Sequence, residues 1–322
     1  MTTRAIAAIV ALCMTVIGAA AQAADYPVKP IKAIVPTAPG GAGDVFMRLV
    51  GEEIQKRWGK PVIVENRPGG NLNIAARICA EAPNDGHTIC ILAVEALVYN
   101  QFLYKKIPFD PAKDFEPITK LFSITQALVV NSTLRVNSIR ELAALSNKKP
   151  GTLSYIAPSI SLMLLMEKFK KETGADLVRV PFRGGSEVVT AVLSGTTPVA
   201  FSGLGTLGPY IRAGKMIGLA VDSTTRSTLF PEIQTLTELG YPSNLSSVYF
   251  GLVAPSGTPK AIISKLRDEI VNIANEPGFR RKHLIERGLE PILNTPEEFG
   301  QLLKQDRASF ERVVMDAGLQ PQ

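Results

Sequence analysis

The chain has 322 residues, enough for two separately cored lobes. Its formal charge of +6, from 35 Lys and Arg against 29 Asp and Glu, is spread along the chain rather than gathered in a run, which argues against a nucleic-acid partner and suits a small anionic ligand. The only histidines, His87 and His283, and three cysteines with no C-x-x-C unit argue against a metal site, and nothing calls for a cofactor.

Arg4, an apolar run over residues 5–20 and then Ala21-Gln22-Ala23 predict a signal peptide at residues 1–23, cut after Ala23 for release into the periplasm. The apolar run is shorter than the roughly 20 residues a membrane span needs. Leu12 ahead of Cys13 does not suit lipid attachment. Cys79 and Cys90 remain in the mature chain. An oxidising compartment permits a bridge between them, and the spacing leaves both a bridge and two buried thiols open.

Short apolar strands and amphipathic helices alternate from residue 31. Ile31 to Val35 is a strand, residues 44–58 a helix with Val45, Leu49, Val50 and Ile54 on one side, Pro61 to Val64 a strand, residues 74–82 a helix and Thr88 to Leu92 a strand. This order predicts parallel pairing with helices on both faces. The middle repeats the pattern: strands at 127–130, 153–156, 177–180, 199–201 and 219–221, and helices opening at the Ser138–Glu141 capping box, ending near Thr173, spanning 187–193 and ending near Ala213. Two helices close the chain, one after Thr258-Pro259 and one after the capping box Thr295-Pro296-Glu297-Glu298.

The segment Thr37-Ala38-Pro39-Gly40-Gly41-Ala42-Gly43-Asp44 joins the first strand to the first long helix. Glycines admit close backbone approach to a ligand, free amides at a helix start attract anions, and Asp44 reads as the N-cap. A second strand-to-helix turn at Pro181-Phe182-Arg183-Gly184-Gly185-Ser186 offers Arg183 and exposed amides to an anion. The bland alternatives are a tight turn and a solvated arginine. Phe46 stands where a dinucleotide fingerprint needs its third glycine, no Gly-Lys-Ser/Thr follows, and no G-x-S-x-G elbow occurs.

At these residues the sequence resembles the Bug family, the extracytoplasmic receptors of tripartite tricarboxylate transporters. The likeness runs over nearly the whole mature chain: Val35-Pro36 with Pro39-Gly40-Gly41 and Asp44, Val64-Glu65-Asn66-Arg67-Pro68-Gly69, Asp85-Gly86-His87-Thr88, Tyr104 to Pro111, Val180-Pro181-Phe182-Arg183-Gly184, Ile211 to Lys215 and Gly251 to Pro259. The resemblance implies an α/β type II periplasmic-binding-protein fold: two Rossmann-like lobes joined by two crossing strands, with the ligand cleft between them. Residues 25–125 plus 253–322 would form lobe one and 126–252 lobe two. It further implies that the first Gly-rich loop and the loop 157–161, with Ala157, Pro158, Ser159 and Ser161, hold a ligand carboxylate. A monomer that delivers its ligand to integral membrane transporter subunits is expected, with no enzymatic activity. A sensory receptor or a periplasmic enzyme acting on a carboxylate are the rival classes.

Departures from the family pattern bear on the ligand. The loop at 157–161 lacks the usual glycines and histidine, Ser202-Gly203 follow Phe201 where many relatives carry an acid, and Glu95 stands where they carry small polar or glycine residues. Fewer polar partners favour a carboxylate with a flat or apolar body, such as an aromatic acid or a terephthalate-like dicarboxylate, although Glu95 runs the other way. Alternatively Ile160, Leu162 and Met163 simply pack their helix into its lobe.

Overall fold

The structure, a computed structural model, describes residues 26–157, 160–181, 185–223, 225–241, 248–316 and 318–321. The expected signal peptide lies outside the described residues, as do Pro158, Ser159, Arg183 and Gly184. No helix among the described residues is long and apolar enough to cross a membrane.

The chain divides into two compact units. Unit one comprises Met1–Leu121, Phe250–Phe279 and Ile292–Gln322, and unit two Phe122–Tyr249 and Arg280–Pro291. In unit one, β1 (Ile31–Val35), α1 (Ala42–Trp58), β2 (Val62–Asn66), α2 (Asn73–Ala80) and β3 (Thr88–Ala93) follow the expected βαβαβ order. β1 pairs in parallel with β2 and β3, with Ile31 opposite Val62 and Ile34 opposite Cys90. β3 is buried at every position, as a strand covered on both faces must be. Ile31, Ile34, Ile89 and Ile91 are fully enclosed, each worth about 2 kcal/mol of burial. A π-helical turn, Glu95–Tyr99, and α3 (Asn100–Leu103) follow β3.

The chain passes between the units along β4 (Phe115–Ile124) and returns along β10 (Tyr249–Pro255). β10 runs antiparallel to β3, with Phe250 opposite Ala93. α8 (Lys260–Asn275) and α9 (Pro296–Asp316) complete unit one. The segment Arg280–Pro291, read from sequence as part of the first lobe, groups with unit two because β11 (Leu289–Pro291) pairs with β4 at Phe122, Ser123 and Ile124.

Unit two has the strand order β7-β6-β8-β5-β9, with β5 (Gln126–Asn131), β6 (Ser154–Ile156), β7 (Val178–Arg179), β8 (Val199–Gly203) and β9 (Met216–Asp222). β6 pairs in parallel with β7 and β8, while β5 lies antiparallel to β8 and β9. Alternate residues of β5 serve opposite faces. Leu128 and Val130 pack with α4 (Ile139–Lys148) and α5 (Ile160–Thr173) through Ile139, Leu142, Leu165 and Phe169. Ala127 and Val129 pack with α6 (Gly185–Ser194) and α7 (Leu204–Arg212) through Val188, Val192, Leu204 and Leu207. Leu162 belongs to the first of these cores and Met163 packs against it, so both hold α5 in its unit.

The capping box at Thr295 closes from both sides, whereas at Ser138 the Glu141 carboxylate accepts the Asn137 amide at 2.8 Å in place of the Ser138 amide. Ser138 Oγ accepts the Glu141 amide at 3.1 Å, and Thr295 Oγ1 accepts the Glu298 amide at 3.2 Å while Glu298 Oε2 accepts the Thr295 amide at 2.8 Å. Thr258 does not cap α8: its hydroxyl donates to Pro255 O at 2.7 Å and Pro259 takes the cap position. Cys79 and Cys90 are disulfide-bonded, with Cα atoms 6.2 Å apart, tying α2 to β3.

Candidate functional site

The Gly-rich segment leaves the carboxyl end of β1 and enters α1, the position at which open α/β sheets present ligand sites. Ala38, Pro39 and Gly40 form an exposed tip, Thr37, Gly41 and Ala42 are half-buried, and Gly43 and Asp44 are buried. Gly40 has φ +86°, a left-handed conformation that a side chain would strain. Gly41 has an ordinary extended backbone and is small for another reason. A Cβ there would lie 2.7 Å from Thr37 Oγ1, because the loop folds back on itself.

The helix starts two residues earlier than the sequence suggests, and Asp44 is not its cap. Gly41 is the N-cap, Val45 N–H donates the first helical bond to Gly41 O at 3.0 Å, and Asp44 sits at the third helical position. Its carboxylate accepts the Gly40 amide at 2.9 Å, Arg48 Nε at 3.0 Å and Asn66 Nδ2 at 2.9 Å. Asn66 Nδ2 also donates to Thr37 O at 2.9 Å, so β2 clamps both ends of the loop. Burial alone would raise the Asp44 carboxyl, but the bonds from Arg48, Gly40 and Asn66 outweigh it and hold it below the ordinary carboxylate value. The amides of Ala42, Gly43 and Asp44 precede the first helical bond and form the positive end of α1. Asn66 and Arg48 were not among the residues read as the site; Asn66 stands in the Val64 to Gly69 stretch that carries the resemblance.

Two further segments reach the same sheet edge. After β3, Glu95 is 6% exposed and its Oε2 has no hydrogen-bond partner. Burial pushes its carboxyl up, opposed only by its own backbone amide. After β2, Asn71 (φ +49°) and Leu72 (φ +71°) hold left-handed conformations. Fully buried Asn100 secures that turn, donating to Asn71 O at 2.9 Å and Asn73 Oδ1 at 2.7 Å while accepting from Asn71 Nδ2 at 2.8 Å. Nothing in the residue pattern announced this asparagine cluster, since Asn100 stands 27 and 29 positions from Asn73 and Asn71.

In unit two, Ile156 lies opposite Ala200 in parallel strands, so Ala157, just after β6, and Ser202-Gly203, the last residues of β8, stand at one edge of the sheet. Ala157 and Ser202 are buried, and Gly203 is the N-cap of α7. Ser161 is buried in the first turn of α5, and Gly185 opens α6. No group of three or more His, Cys, Asp or Glu among the described residues is placed to hold a metal.

Comparison with known proteins bears on this arrangement. The profile of the family described as "Tripartite tricarboxylate transporter family receptor" (TctC) matches residues 46–319. Protein BugT of Bordetella pertussis is 31% identical over 309 residues, covering 94% of this chain and 93% of BugT. Rpa4515 of R. palustris, solved with adipate, superposes with a TM-score of 0.82 at 27% identity, covering 92% of this chain and all of that one. MatC (Rpa3494) of Rhodopseudomonas palustris, solved with malate, superposes with a TM-score of 0.75 at 25% identity over 90% of this chain and all of that one. The α/β fold, with its two sheets, is that of the periplasmic binding proteins. With the profile spanning most of the sequence and BugT matching along nearly its full length, the chain belongs to the tripartite tricarboxylate transporter receptor family, the periplasmic solute-binding receptors of the Bug type.

Proposed function

We propose that the protein captures a small carboxylate, holding it at the positive end of α1 beside the Gly40-Gly41 turn, and delivers it to the membrane subunits of a tripartite transporter. The observation that carries this reading is the clamped Gly-rich loop, whose Asp44–Arg48–Asn66 network fixes a turn ahead of three unengaged helical amides. The adipate and malate bound by the related receptors support a dicarboxylate. The loop at 157–161 and Ser202-Gly203 are further candidate contacts, and their sparse polar groups favour a flat or apolar body. Leu162 and Met163 add nothing to that preference, because they serve the core of unit two.

The receptor works as a monomer, is exported with cleavage after Ala23, and returns its ligand chemically unchanged. Mass determination of the exported amino terminus checks the cleavage. Calorimetric titration with terephthalate, benzoate, adipate, malate, citrate and glutamate tests the ligand class. Binding of terephthalate or adipate ahead of citrate and glutamate is expected, with no product on prolonged incubation. Tight citrate or glutamate binding overturns the preference, and no binding of any carboxylate overturns the proposal.

A further inference from the structure

Two buried side-chain oxygens without a hydrogen-bond partner belong to the same edge of the first-unit sheet: Thr37 Oγ1 after β1 and Glu95 Oε2 after β3. β1 and β3 are adjacent and parallel, with Ile34 opposite Cys90, so the segments leaving their carboxyl ends are neighbours. Glu95 opens the π-helical turn, whose carbonyl O is bonded by the Asn100 amide. A π-turn in place of a regular helix start is a common mark of a functional position. Leaving a buried polar oxygen unpaired costs about 1–3 kcal/mol, which a bound partner would recover.

We propose that Glu95 is a specificity-determining residue of this receptor, presenting a hydrogen-bond donor to a carboxylate oxygen of the ligand. This rests on the carboxylate-receptor reading above. An ionised Glu95 could only repel such a ligand, so its surroundings decide the matter. β3, the turn Gly70–Leu72 and α3, all packed near it, carry no charged side chain. From α9, Arg307 donates to Leu97 O at 3.2 Å and Pro111 O at 3.4 Å, and Asp306 faces Lys120. On the loop side, Asp44 is paired with Arg48. Among the described residues no cation is paired with Glu95, and burial in these uncharged surroundings raises its carboxyl, so the proposal takes Glu95 in its protonated form. One oxygen is then an O–H donor without an acceptor, and an anionic oxygen supplies the strongest one. An ammonium group supplies none, so Glu95 in this state discriminates against amino-bearing ligands instead of recruiting them.

The sign of the pH dependence follows. The proton-bearing form binds, so affinity is full below the raised ionisation point of Glu95 and declines as pH rises through it. The test is calorimetric titration of adipate and terephthalate into wild type, Glu95→Gln and Glu95→Ala from about pH 5 to about pH 9. Wild-type affinity should fall about tenfold per pH unit once the acid ionises. Glu95→Gln, which keeps a neutral donor, should stay within about threefold of the low-pH wild type across the range. Glu95→Ala should be about 10- to 100-fold weaker at low pH, with no slope. A flat wild-type profile, or a glutamine variant as weak as the alanine variant, overturns the assignment while leaving a carboxylate receptor standing. Failure of both carboxylates to bind wild type at any pH overturns both. The wild-type profile decides even if the alanine variant does not fold.

Discussion

Replacing Asp44 by Asn removes a charge from the loop clamp while keeping the side chain's size. The Asp44 side chain is 3% exposed and accepts from three partners, so the loss is worked bond by bond. Arg48 is 49% exposed and regains water, so its ion pair adds less than about 1 kcal/mol. The Gly40 amide lies at the exposed tip and rehydrates in part, and Asn66 keeps its bond to Thr37 O. A charge-assisted bond is worth about 1.5–3 kcal/mol, and with these discounts the substitution should cost unit one about 2–3 kcal/mol. The folded state holds this carboxyl below its ordinary value of 3.8, so its contribution is complete above that value and fades as pH falls through the lower folded value. The single tryptophan, Trp58, is the last residue of α1 and reports unit one directly. Urea unfolding followed by its fluorescence should show the deficit at neutral pH and a smaller one at about pH 3. A variant within about 0.5 kcal/mol of wild type at neutral pH, or a deficit unchanged by acid, refutes the assignment of Asp44 as the charged anchor of the loop.

Gly41→Val should fold, with unit one weakened by about 1–3 kcal/mol as the new side chain displaces Thr37, and should lose at least about tenfold in carboxylate affinity. Unchanged affinity in a folded variant moves the site elsewhere. Replacing Cys79 and Cys90 together by Ser should lower stability by about 3 kcal/mol through the 11-residue separation they close, read as a lower urea midpoint, whereas wild type treated with reductant should approach the same midpoint.

Most of the elements were legible because burial imposes a period. The short apolar run Ile31 to Val35 and the apolar side of α1 need only local spacing to be seen. The start of α1 was misread because aspartate is a common cap and glycine carries no side chain to advertise one; here the glycine caps and the aspartate reaches back to Gly40. β4 escaped the residue reading because Pro117 sits inside it and argues against a strand. The π-turn at Glu95–Tyr99 has no signature in an apolar stretch, since a hydrogen bond one residue longer leaves the pattern unchanged. The candidate site was legible as a loop but not as a clamp, because Asn66 and Arg48 are brought to Asp44 by the β1–β2 pairing and by helical spacing.

The return of the chain along β10 sets an order of assembly. Unit two is built largely from a continuous stretch, Phe122–Tyr249, whereas the unit-one sheet needs Phe250 to Val253 beside Ala93 to Cys90, partners about 160 positions apart. A chain emerging amino end first therefore exposes one margin of β3, the apolar run Thr-Ile-Cys-Ile-Leu-Ala, until residue 253 has appeared. An unpaired apolar strand margin is a template for joining another chain. The nascent receptor is thus most prone to aggregate before its last quarter is made, and truncations ending before β10 leave that margin open for good.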